Sequence, residues 1–88
     1  MPRYFFHIRD GATSIDQIGA DFPDDGAARA ETVIVLGEIL RFSAPDLWSG
    51  AGLTVVLECE NGRVVAVLET RTSVQPPEDW PWPSPAAP

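Results

Sequence analysis

The sequence predicts an α+β domain of order ββαββ, an antiparallel four-stranded sheet with one helix packed on one face, followed by a disordered proline-rich C-terminal tail. Three observations carry that prediction. An alternating aromatic run near the start leads into Asp10-Gly11, an alanine-rich segment stands behind Asp24, and two alternating runs flank Asn61-Gly62. The single domain is placed at 1–72 and the Pro/Trp-rich tail at 73–88.

Arg3 to Arg9 (RYFFHIR) is β-prone, with Tyr4, Phe6 and Ile8 on one side and Phe5, His7 and Arg9 on the other. Asp10-Gly11 is a hairpin signal, because glycine supplies the positive φ of a tight turn. Thr13 to Ile18 then returns as a weaker second strand with Ile15 inward, and Gly19 with Asp21 to Pro23 breaks it.

Asp24 can accept hydrogen bonds from the free N–H groups of a first helical turn, so Ala27 to Phe42 is predicted as a helix. Two stripes are available: Arg29, Val33, Leu36 and Leu40, or Ala28, Thr32, Val35 and Ile39. The run Val33-Ile34-Val35-Leu36 has more apolar circumference than one sheet can cover. Pro45 closes the helix, since proline disfavours helix in the residue before it. Asp46 to Gly52 is a loop whose Trp48 is expected to fold over the core edge.

Leu53 to Glu60 and Arg63 to Thr70 are alternating strands separated by Asn-Gly, whose type I′ turn needs positive φ at both central residues. With Glu60 facing Arg63, Leu57 faces Ala66 and Val55 faces Leu68, and these share one apolar face with Cys59 and Val64. The other face holds Val56, Val65 and Val67 among Glu58, Glu60, Arg63 and Glu69, which is too apolar to be wholly solvated. Most of the nine prolines fall in the final segment SVQPPEDWPWPSPAAP, which is expected to be polyproline-like.

Eighty-eight residues make one domain at most, and a core this small is marginal alone. One cysteine excludes an internal disulfide, which leaves oligomerisation as a source of added stability. The formal net charge of −7 argues against nucleic-acid phosphates and anionic lipid as partners. Neither a signal-peptide pattern nor a long apolar span is legible, so the expectation is no membrane and a cytoplasmic location.

Met1 to His7 (MPRYFFH), Asp10-Gly11, Asp16, Gly19, Phe22-Pro23-Asp24, Ala27-Ala28-Arg29-Ala30-Glu31 and the later Gly62-Arg63-Val64 resemble a bacterial domain-of-unknown-function family of small proteins that open with MPRYFFH. The resemblance spans residues 1–70 and implies the fold rather than an activity. The order strand, Asp-Gly, strand, Phe-Pro-Asp and Ala-rich helix is also similar to HicB-type antitoxins, a partial RNase-H-like family that neutralises a toxin. Here the helix starts at once after Pro23-Asp24 and no DNA-binding element follows, so what this likeness implies is at most toxin binding.

His7 is the only histidine, and Asp10 or Asp16 could orient it in a small metal-dependent enzyme. The plainer expectation is a ring on the second face of the first strand, hydrogen-bonded across the hairpin. Cys59 is read as a buried small hydrophobe, since flanking Glu58 and Glu60 disfavour a reactive thiolate. Asp16, Asp21, Asp24 and Asp25 could form an oxygen-rich calcium or magnesium site, but they match no metal-loop spacing, and capping and turn chemistry account for Asp24 and Asp21. Gly50-Ala51-Gly52 lacks the lysine and helix of a phosphate loop. Trp80-Pro81-Trp82-Pro83 could be a stiff peptide ligand, but acidic Glu78 and Asp79 precede it, and a disordered extension is the simpler reading. Its rings could equally pack onto the second face of the sheet.

The predicted core is Tyr4, Phe6, Ile8, Ile15, Val33, Leu36, Leu40, Val55, Leu57, Val64, Ala66 and Leu68. Left over are Phe5, Ile34, Val35, Val56, Val65 and Val67, which form the candidate interface. No catalytic, cofactor-binding or metal residue is assigned and no cofactor is expected. The function read from the sequence is therefore a non-enzymatic module that homodimerises or docks another protein. The alternatives are an antitoxin for a basic toxin and the His7 enzyme.

Overall fold

The computed structural model describes residues 1–42 and 47–81. Its elements are β1 (Arg3–Arg9), β2 (Thr13–Ser14), β3 (Ala20–Asp21), α1 (Asp25–Phe42), a π-type turn at Leu47–Ala51, β4 (Leu53–Cys59) and β5 (Val64–Thr70). The fold is α+β, an antiparallel sheet with one main helix. Strand order is β2-β1-β4-β5, with β3 also on β1. The aromatic first strand thus lies in the middle of the sheet, paired with β4 from Tyr4↔Cys59 to Arg9↔Thr54.

Helix α1 begins where its cap dictates: Asp24 Oδ1 accepts the Ala27 N–H at 2.8 Å. It buries Ala28, Thr32 and Leu36, one residue per turn along a single stripe. Ala28 is fully buried against Tyr4, Leu57 and Cys59. Leu36 packs on Leu53 and Val55 further along the helix, and Phe6 touches both clusters. Burying Leu53, Val55 and Leu57 on β4 contributes about 2 kcal/mol each. The buried Thr32 hydroxyl donates to the Ala28 carbonyl one turn back at 3.1 Å, so no donor is stranded.

Several expectations are corrected. The buried line mixes the two expected stripes, Ala28 and Thr32 from one and Leu36 from the other, and Val33 is exposed, as are Ile15 and Trp48. Only Thr13–Ser14 of the expected second strand pairs with β1; the segment then leaves the edge and returns as β3. Leu53 and Ala28, absent from the predicted core, are among its most buried members.

The β4–β5 hairpin forms, but not through a type I′ turn. Gly62 has φ 86° while no other residue type has positive φ, so Asn61 stays in ordinary backbone space. Gly62 N–H donates to Cys59 O and Cys59 N–H to Arg63 O, both at 2.9 Å, which is a three-residue loop with glycine in the left-handed position. Asn61 Oδ1 accepts the Arg63 N–H at 3.0 Å and also the Cys59 thiol, so its side chain braces the loop from inside. The extra loop residue sets Cys59 against Arg63 and Glu58 against Val64. A bulge at Val65 then restores the expected Leu57↔Ala66 and Val55↔Leu68. Val64 is consequently turned to the outer face and is 55% exposed, while Val65 packs toward the core.

Pro45 as helix terminator lies outside the described residues, as do Asp46 and the tail from Trp82 onward. Ser73–Pro81 carries no helix or strand.

Candidate functional site

Backbone parity decides what each strand of the sheet can offer. Cys59 N–H bonds toward β5 and Glu60 N–H bonds to Arg3 O on β1, so odd residues of β4 face β5 and even ones face β1. On β1, therefore, Tyr4, Phe6 and Ile8 direct their N–H and C=O to the far side. There Tyr4 meets Ala20 of β3 and Ile8 meets Ser14 of β2. Phe6 lies between the two short strands, and its N–H donates to Asp16 Oδ2 at 3.1 Å. The other carboxylate oxygen accepts the N–H groups of Ile18 and Gly19, both at 3.0 Å. Burial pushes the Asp16 carboxyl up, but these three donors and the nearby His7 outweigh it and hold the group below its ordinary value.

His7 points to the opposite side of the sheet from the helix. Its Nδ1 accepts the Asp16 N–H at 3.1 Å, which leaves Nε2 to donate to Glu58 Oε1 at 2.8 Å. The ring lies nearly parallel to Phe5, with centroids 6.5 Å apart. The structure thus brings His7 and Asp16 together, but through the Asp16 backbone, while the carboxylate holds the strand edge. Glu58, which the sequence reading left unassigned to His7, is the acid that meets the imidazole. Only the non-local pairing of β1 with β4 puts it there.

The other acidic residues have separate partners. Asp21 pairs with Arg3 at 3.3 Å and Asp24 caps α1. Asp25 accepts the Tyr4 hydroxyl at 2.7 Å and faces Arg63 at 3.2 Å. The Asp25 hydrogen bond, burial and the Asp25 charge together push the Tyr4 hydroxyl up to about 12. Among the described residues no group of three or more His, Cys, Asp and Glu is placed to hold a metal ion. Nor is any described helix long and apolar enough to cross a membrane. A shallow groove of about 490 Å³ runs between Phe6 and Ile8 and the 14–18 segment, on the other face of β1 from His7.

The six candidate interface residues do not share one surface. Phe5, Val56 and Val67 lie on the outer face of the sheet, where Val56 sits between His7 and Val67 in register. Val67 is 53% exposed. Val65 leaves that face because of the bulge and joins the cluster around Tyr4 and Ala28, and Val64 takes its place. Ile34 is exposed on α1 beside Val33, and Val35 is half-buried. What the sequence reading missed is Val64, and the signal that could have found it is the choice between a two- and a three-residue loop.

A family model described as "Domain of unknown function (DUF6894)" matches residues 3–71. No curated protein and no solved structure matches the chain. The similarity to HicB-type antitoxins is not shown by these comparisons.

Proposed function

We propose that this chain, which belongs to the DUF6894 family of domains of unknown function, is a non-enzymatic protein-interaction module of the cytoplasm that associates with a second copy of itself. One observation carries the reading. The helix covers one face of the sheet, and the other presents Val56 in register with Val67, and Val64 in register with Glu58, whose neighbour on β1 is Phe5. Val64 and Val67, each more than half exposed on the edge strand β5, leave apolar area in water that association removes.

The His7 cluster fits this reading because its hydrogen bonds are structural: both ring nitrogens are engaged, one of them by a backbone N–H. A domain of this size also gains disproportionately from buried partner surface. Size-exclusion chromatography with light scattering tests the proposal. A dimer mass at tens of micromolar is expected; a strictly monomeric mass across that range refutes self-association.

A further inference from the structure

We infer that the free edge of β5 pairs antiparallel with β5 of a second copy, across a twofold axis at Thr70 that sets Glu69 of each copy against Arg71 of the other. The inference rests on the self-association reading above and adds to it a contact at the sheet edge, distinct from the apolar face.

The two edges of the sheet are built differently. On the β1 side every outward-facing residue of the strand is answered: Tyr4 by Ala20, Phe6 by the Asp16 carboxylate, Ile8 by Ser14. On the β5 side, Ala66, Leu68 and Thr70 answer the odd residues of β4, so Val67 and Glu69 turn their N–H and C=O outward. No described strand pairs there. Val64 to Thr70 has no proline and no lysine, and its first five residues carry no charge. Proline, lysine and charge ordinarily discourage edge pairing, and a further such device, the bulge at Val65, lies before the stretch from Val67 onward that pairs about Thr70. What such an edge recognises is an extended strand.

Side-chain charge selects both the partner and the register. Continuing the alternation, the outward-facing set is Val67, Glu69 and Arg71. Centring two copies on Val67 sets Glu69 against the bulged Val65 and pairs no unlike charges, and centring them on Glu69 opposes two carboxylates. Centring on Leu68 sets Glu69 against a valine. Centring on Thr70 sets Glu69 against Arg71 twice, and directly opposed unlike charges stabilise an antiparallel pair where like charges destabilise it. The same end of the domain carries exposed aromatic area. Thr72 Oγ1 donates to Leu47 O, which places Trp48, 62% exposed, beside this segment. Phe42, 83% exposed, follows Leu40, which packs on the Leu53 cluster. A twofold axis at Thr70 brings these rings toward those of the second copy.

Sedimentation velocity of the full chain over a concentration series tests the inference, with Glu69→Arg, Arg71→Glu and the double exchange. The wild type is expected to dimerise, each single change to raise the dissociation constant by roughly tenfold, and the double exchange to restore it. Hydrogen exchange on the unaltered dimer gives a second readout, in which the Val67 and Glu69 amides are protected. A dimer indifferent to all three variants, a double exchange without rescue, or fast exchange at both amides overturns the edge pairing and leaves self-association standing. A monomeric wild type overturns both.

Discussion

The Phe6 N–H lies 3.1 Å from Asp16 Oδ2, so a side-chain carboxylate occupies the place where a strand carbonyl would otherwise stand. That one relationship lets the segment after Asp10-Gly11 touch β1 twice, as β2 and as β3, without pairing along its length. It also presents the Asp16 N–H to His7.

Removing the carboxylate strands the N–H groups of Phe6, Ile18 and Gly19 together. Asp16→Ala is expected to cost roughly 2–3 kcal/mol in urea unfolding, and Asp16→Asn about half that, because one amide oxygen still accepts. Equal stability of Asp16→Ala and wild type would refute the bracing role.

Acid sensitivity follows from the same group. Its folded value lies below 3.8, so its contribution is complete above that pH and is lost as pH falls through the folded value. Stability measured by denaturant midpoint should therefore drop below about pH 4, and Asp16→Asn should flatten that part of the profile.

Tyr4 is the chain's only tyrosine, so a spectroscopic titration reads it alone. Phenolate absorbance should appear near pH 12 in the folded protein rather than near 10. Since the folded value is raised, the contribution of Tyr4 to stability is complete below pH 10 and disappears as pH rises through about 12. In Asp25→Asn the phenolate should form closer to pH 10.0.

Gly19 and Gly11 both have positive φ, at 75° and 102°, but differ in surroundings. A Cβ at Gly19 would stand 2.8 Å from the Tyr4 carbonyl and 2.9 Å from the Phe5 ring; at Gly11 it would meet nothing. Gly11→Ala is expected to cost about 1 kcal/mol from backbone strain alone, and Gly19→Ala about 3 kcal/mol from strain plus the clash. Thermal unfolding of the two variants checks the order.

The bulge makes neighbouring valines unequal. Val65→Ala, at the core cluster, should destabilise by about 1–2 kcal/mol, and Val64→Ala, on the outer face, by less than about 0.5 kcal/mol. The reverse order in chemical denaturation would mean that the register is the one a two-residue turn imposes.

The sequence by itself determined the parts of this protein that depend on neighbours a few residues away. The aromatic alternation of β1, the Asp24 cap and its helix, the Asn-Gly hairpin and the inward row Leu57 with Ala66 and Val55 with Leu68 are all short-range, because turn φ angles, capping bonds and period-two alternation are local constraints. Tertiary structure alone decided the rest. Whether Asn61 or Glu60 leads the loop depends on small differences between local turns, and one residue of difference moves Val64 out of the core and Val65 into it. Glu58 could be assigned to His7 only once β1 had paired with β4 across fifty-one residues of sequence, and the same pairing turns the Phe6 N–H to the edge where Asp16 accepts it. Long-range pairing chooses among locally equivalent arrangements by what it buries and what it leaves unbonded, and no window of the sequence contains both partners of that choice.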